Sequence, residues 1–183
     1  MSLNNKGKEG SYTLLFVMMF VSMLIAAFWN SFPMIKNSAH AILNPSAGLL
    51  LNWNLNAGFV ILIFIITLIT TLFQKYTTDQ DAIREIKKQQ KELSEQIKKL
   101  EVGSAKHTEL TKKSFEFFGP MMKLSMRPMV FTAIPLILLF RWFMDVFSVL
   151  NNPKFFNFFS WFWYYLILSI IFSSILRKVL KVE

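Results

Sequence analysis

QKYTTDQDAIREIKKQQKELSEQIKKLEVGSAKHTELTKKSFEFFGPMMKLSMRP, residues 74–128, is the stretch that decides the fold. It carries most of the charge in the chain and separates hydrophobic runs on either side. Ile83, Ile86, Gln90, Leu93, Ile97 and Leu100 are spaced three, four, three, four, three. That is the a/d pattern of a helix with one narrow apolar seam. Val102-Gly103-Ser104 interrupts it, and glycine suits a helix end. Beyond the turn, Leu110, Ser114, Phe117 and Met121 recur at four, three, four. The arms, residues 75–101 and 105–127, are 27 and 23 residues long. Near-equal lengths predict an antiparallel coiled-coil hairpin that leaves a membrane and returns to it, standing roughly 35–40 Å high. A self-associating parallel coiled coil is the alternative. It needs sustained heptads, and this seam runs for only about three before the glycine.

Working outward, the flanks are blocks of apolar sequence. The chain is 54% hydrophobic with 20 Phe, and residues 10–35, 37–74, 128–140 and 155–176 carry no Lys, Arg, Asp or Glu. A bilayer-crossing helix needs about 20 apolar residues. Four spans are expected, at residues 12–32, 57–73, 128–149 and 158–176, giving an all-α membrane protein. The division is a tail and first span at 1–36, an outer segment at 37–56, and a second span at 57–74. The hairpin and Met-rich segment follow at 75–127, the third span at 128–150, and the fourth span with a basic tail at 151–183. The first run has Lys6 and Lys8 before it, like a signal peptide. It is long and bulky, without an evident Ala-x-Ala-like cleavage site, and reads as retained. With no cysteine, disulfide and thiol chemistry are excluded.

The net charge of +9 is not a nucleic-acid patch. Residues 79–118 hold nine basic against eight acidic side chains, so the excess lies at span ends and tails. Lys and Arg near span ends favour the cytoplasm. Lys6 and Lys8, Lys75, Lys123 and Arg127, and Arg177, Lys178 and Lys181 all fall on one side if the hairpin and both termini are cytoplasmic. Lys36 and Lys154 then sit alone in the two outer loops. Trp29, Trp53, Trp142, Trp161 and Trp163 all fall at the outer ends, consistent with an interfacial belt. Residues 34–56 contain the turn signal Asn44-Pro45 and then Leu49, Leu50, Leu51 and Trp53, which suits either an interfacial piece or a plain loop.

Candidate chemistry is sparse. His40 and His107 lack partners in sequence for a metal site or a triad, and no phosphate-binding loop appears. No metal, cofactor or catalytic residue is expected, and the chain reads as a non-enzyme. Arg141 and Asp145, four apart in the third span, are expected to form a local structural ion pair. Small polar side chains carry more information. Thr67, Thr70, Thr71 and Gln74 share a stripe of the second span. Tyr165, Ser169, Ser173 and Arg177 recur by four in the last, and Thr132 sits one turn inside the third. Nearly all lie in the half of the bilayer nearer the hairpin, with residues 59–66 wholly apolar beyond them. Ser and Thr often only pack between helices or bond their own backbone. Their common depth in three spans points instead to a wet groove open on the hairpin side. Met121, Met122, Met126 and Met129 precede or open the third span. Flexible thioethers suit a capture surface for hydrophobic segments, or simple packing on lipid. Gly119-Pro120 is expected to break the second arm, and Pro128 to open the third span at its first turn.

The segments TTLFQKYTTDQD (70–81) and FGPMMKLSMRPMVFTAIPLILLFRWF (118–143), with the Lys/Glu hairpin between them and one span after, carry a family resemblance. The chain resembles the archaeal YidC-like proteins of the Oxa/YidC/Alb membrane-insertase superfamily, which includes subunit three of the ER membrane complex. The resemblance covers about residues 55–180. It implies a three-span core with a cytosolic hairpin after its first span, and a hydrophilic groove open to cytoplasm and lipid. It also implies assistance to hydrophobic segments entering the bilayer without nucleotide hydrolysis. By position, Thr67, Thr70, Thr71, Gln74, Ser169 and Ser173 would line that groove. Met121, Met122, Met126 and Met129 would capture clients. Two departures stand out: the first core span lacks the groove arginine of bacterial members, and the run at 12–32 precedes the core pattern.

The function expected from all this is a membrane-protein insertase or chaperone in the plasma membrane. Its partners would be the bilayer, hydrophobic segments of nascent or tail-anchored proteins, and a ribosome or targeting factor, with no sequence-specific nucleic acid. The alternatives are an ion channel or channel subunit, which needs a polar track at full depth, and a coiled-coil membrane scaffold or receptor.

Overall fold

A computed structural model describes residues 12–156 and 158–182, apart from the Arg127 side chain. Lys6, Lys8 and that arginine's side chain, each used above in assigning topology, lie outside the described residues. The described chain is helical: α1 (Tyr12–Ala27), α2 (Pro33–Leu43), a π-helical turn (Asn44–Gly48), α3 (Leu49–Trp53), α4 (Leu55–Thr77), α5 (Gln80–Ile97), α6 (Ala105–Glu116), α7 (Phe118–Val149) and α8 (Trp161–Leu180). Beyond one isolated bridge between Phe155 and Phe159, no β-structure forms among the described residues.

Three helices are long and apolar enough to cross a membrane: Leu55–Thr77, Pro128–Val149 within α7, and Trp161–Leu180. The expected first span is helical only to Ala27, 16 described residues. That is about 24 Å, short of the roughly 30 Å hydrocarbon thickness. The chain then turns through 28–32, and α1 packs along α7. Residues 34–56 are no loop. They form α2, the π turn and α3, and α3 folds back on α4. Gly58 permits this corner, because a Cβ there would stand 2.0 Å from the Leu50 carbonyl oxygen.

Side-chain caps set the helix starts. Asn54 Oδ1 accepts from Ala57 N–H at 3.0 Å, Asp79 Oδ1 from Ala82 N–H at 3.1 Å, and Ser104 Oγ from His107 N–H at 3.2 Å. Gly103, with φ of 92°, makes the turn between α5 and α6. These two helices pack on each other. On α5 the seam faces inward: Ile83 and Ile86 are buried with Leu124, and Phe117 and Met121 pack against them. The second arm is not continuous. It breaks at Phe117, one residue before α7 begins, so Gly119 and Pro120 fall in the first turn of α7. There a missing proline N–H costs nothing. Pro128 opens the membrane-crossing part, Pro128–Val149, but not a helix: it lies inside the 32-residue α7, as does Pro135. The Met-rich segment and the third span are therefore one helix, about 48 Å long.

The hairpin lies at one end of the three long helices. Towards the far end they converge on one core: Phe59, Leu62 and Ile63 of α4, Trp142, Phe143 and Phe147 of α7, and Tyr164 of α8. Phe155, from the α7–α8 loop, plugs into it with its ring 4.8 Å from both Phe59 and Tyr164. Left-handed Asn151 and Asn152 start that loop, a conformation asparagine tolerates.

The expected Arg141–Asp145 pair does not form. Asp145 Oδ2 instead receives Trp29 Nε1–H at 2.8 Å and lies 2.9 Å from His40 Nε2 and 3.2 Å from Lys36 Nζ. Arg141 stacks over the Trp29 ring, 5.8 Å from its centroid, and reaches Met144 Sδ at 3.8 Å. Two tryptophans also leave the expected belt. Trp29 and Trp142 are fully buried, and Trp142 Nε1 donates to Asn44 Oδ1 at 2.8 Å. Trp53 and Trp163 remain exposed.

Candidate functional site: a polar cavity on the hairpin side

Near the hairpin the three long helices separate. A cavity of about 640 Å³ opens there, bounded by α4, α7 and α8 and roofed by Ile83 and Lys87 of α5. Thr70, Thr71 and Gln74 line it from α4, Ser125 and Thr132 from α7, and Tyr165, Ser173 and Arg177 from α8. A second cavity of about 450 Å³ adjoins it between α4 and α8, lined by Thr67, Thr70, Tyr165, Ser169, Ser173, Ser174 and Arg177. Thr70, Tyr165, Ser173 and Arg177 belong to both, so the two form one polar recess.

All seven residues expected to line a groove fall on this recess: Thr67, Thr70, Thr71, Gln74, Thr132, Ser169 and Ser173. Several of their hydroxyls turn to their own helix. Thr67 donates to the Ile63 carbonyl at 2.7 Å, Thr71 to Thr67 at 2.7 Å, Thr70 to Ile66 at 2.9 Å, Thr132 to Pro128 at 2.9 Å and Ser169 to Leu166 at 2.9 Å. Such back-bonding satisfies the proton while leaving oxygen lone pairs for another donor. Thr67 and Thr71 are buried, so the accessible polar wall comes from Thr70, Gln74, Thr132, Ser169 and Ser173.

The recess is also cationic. Arg177 Nη2 donates to Gln74 Oε1 at 2.9 Å and ties the ends of α8 and α4 across the opening. Lys87 joins it from above, and no carboxylate lines either cavity. The lack of charge in the first core span therefore does not leave the recess neutral, because the last span supplies an arginine. Its position was readable from the four-residue repeat Tyr165, Ser169, Ser173, Arg177, although its placement after the span suggested only a topology signal. Ser125 and Lys87 had no such signature.

The methionines divide. Met121 and Met129 line the recess, and Met122 is exposed. Met126 is 2% exposed and packs inward, so it is not part of a capture surface.

The sequence model of the integral membrane protein EMC3/TMCO1-like family matches residues 46–152, more than half of the chain. This chain belongs to the EMC3/TMCO1-like family. The family falls within the Oxa1/YidC/Alb3 insertase-related superfamily. The match begins in the π turn and ends just past α7, so it takes in α4, the paired helices α5 and α6, and the whole cavity wall from α7. No curated protein and no solved structure matches the chain. For this EMC3/TMCO1-like chain, membership and the three apolar helices mark a multi-pass integral membrane protein with a role related to membrane protein insertion.

Proposed function

We propose that this protein is an insertase, easing hydrophobic segments and their polar flanks into the bilayer through the recess near the hairpin, without nucleotide hydrolysis or a chemical step. The observation that carries the reading is the contrast between α4, α7 and α8 along their axes: a cationic, hydroxyl-lined recess at the hairpin end and an aromatic core at the other, where a polar cavity of about 650 Å³ lies outside that core, between α7 and the segment 36–52. Moving an unsatisfied polar group through hydrocarbon costs several kcal/mol. A recess reaching partway into the membrane shortens that path. Arg177 and Lys87 favour acidic or carbonyl-rich flanks over basic ones.

In this reading the hairpin is a cytoplasmic coiled coil, both termini are cytoplasmic, and the membrane is the plasma membrane. The helix α1, with whatever precedes it, serves as a fourth membrane segment. Met121, Met122 and Met129 receive nascent or tail-anchored segments, delivered by a ribosome or targeting factor. The channel alternative needs a polar path at full depth, and between α4, α7 and α8 the far end is filled by Phe59, Phe143, Phe147 and Phe155.

The test is reconstitution in liposomes with a short-tailed, single-span client. Thr70, Gln74, Ser169 and Ser173 are changed together to Leu, sparing buried Thr67 and Thr71. Insertion should fall several-fold while the protein stays folded and monodisperse. Undiminished insertion by a folded variant would overturn the proposal. Ion flux through the wild-type protein alone would favour the channel.

A further inference from the structure

Beside the polar recess lies an apolar crevice of about 360 Å³. Thr70, Thr132 and Leu136 line both, so the two spaces share a wall. Along α4 the crevice runs from Ile66 to Phe73, about 10 Å of helix. Ala39, Ile42 and Leu43 of α2 close its far end. These three residues precede the part of the chain matched by the family, so this wall comes from the N-terminal segment. It is held in place. Lys36 and His40 of α2 and Asn44 of the π-helical turn after it form a row at intervals of four; the first two meet Asp145, and the third accepts from Trp142 Nε1. The crevice is therefore preformed, in the size range of ordinary ligand pockets.

Its chemistry narrows the occupant. A dry apolar cavity gives water nothing to bond. A single unbranched hydrocarbon chain fits. The rim residues Ile42 and Ile69 are exposed and apolar, and Ile69 lies in a candidate membrane span, so the mouth faces hydrocarbon. Across the shared wall, nearer the hairpin, Arg177 lines a polar space with no carboxylate among the described residues. An anionic headgroup followed by an acyl chain matches this order of polar and apolar space with depth.

We propose that this chain binds one phospholipid of the leaflet nearer the hairpin. Its acyl chain lies in the crevice under α2 and its phosphate lies in the polar recess. The proposal rests on the membrane placement adopted above, but not on insertion itself.

The test uses the full chain in liposomes doped with a phosphatidylglycerol carrying a diazirine near the end of one acyl chain. After irradiation, adducts are mapped by peptide mass spectrometry. Adducts on residues 39–43 and 131–139 should exceed several-fold those on Ile171 and Ile175, exposed positions of α8 outside the recess. Ala39→Phe, which fills the crevice, should remove the 131–139 adducts and leave those on α8 unchanged. Leu43→Trp serves the same purpose should Ala39→Phe fail to fold. Crevice adducts no denser than those on α8, or unaltered in a folded filled variant, would overturn the proposal. So would equal labelling by a diacylglycerol with the same diazirine chain but no phosphate. No client is present, so a negative insertion assay leaves this result readable, and the reverse holds.

Discussion

The two ends of the three long helices are built from the same apolar alphabet but on opposite principles. At the far end, large aromatic rings interlock: Phe59 meets Phe143, Phe147, Phe155 and Tyr164 at centroid distances of 4.8–6.0 Å. At the hairpin end, small polar side chains stand where rings would be needed to fill the space, and the helices leave a recess. Native interiors are close-packed, and here small side chains leave the space between α4, α7 and α8 unfilled.

Substitutions can break or sharpen that contrast. Phe59→Ala should be the most damaging, costing about 3–5 kcal/mol by analogy with other buried aromatic truncations, read as unfolding in detergent. It should also raise ion leak above that of the wild type. Gly58→Ala comes next: the Leu50 carbonyl must move, at about 1–3 kcal/mol of overpacking, read by the same unfolding assay. Asp145→Ala deprives Trp29, Lys36 and His40 of their shared acceptor. Lys36 and His40, with side chains 34% and 26% exposed, can recruit water, so chiefly the buried Trp29 N–H loses a partner and the cost is about 1–2 kcal/mol. Proteolysis should then reach α2 first. Ser173→Leu should be the mildest for stability, within about 0.5 kcal/mol, yet it should slow insertion more than Asp145→Ala does. If Ser173→Leu unfolded the protein as readily as Phe59→Ala, the division into a packed end and a working end would be wrong.

Much of this arrangement was legible in the sequence where a helical repeat carried it. The seam Ile83–Ile86 and the polar rows of α4 and α8 needed only a period of about 3.6 to be placed on faces. Their common depth, not any one residue, pointed to a recess. What stayed hidden depends on neighbours far along the chain. Asp145 sits four residues from Arg141, but its partners lie 105 and 116 positions away, on His40 and Trp29. Local spacing could suggest only the nearer cation. Periodicity likewise cannot tell which face of a helix a distant segment will cover, so Met126 could not be separated from Met122. Proline signals placed the break before α7 and the start of its span, but not the helix running through Pro128. Apolar packing on neighbouring helices holds α7 together through Pro128 and Pro135, overriding the local preference for a break. Nothing in residues 34–56 announced that α2 would be pinned on α7 and wall a crevice.

The most direct test is depth-resolved water access. The chain has no cysteine of its own, so single cysteines can be placed at Thr70, Gln74 and Ser173 near the hairpin, and at Val60, Leu62 and Leu168 further in. A membrane-impermeant thiol reagent is added from the hairpin side of reconstituted protein. The account predicts rapid labelling at the first three and protection at the last three. Labelling at all six, or at none, would contradict it.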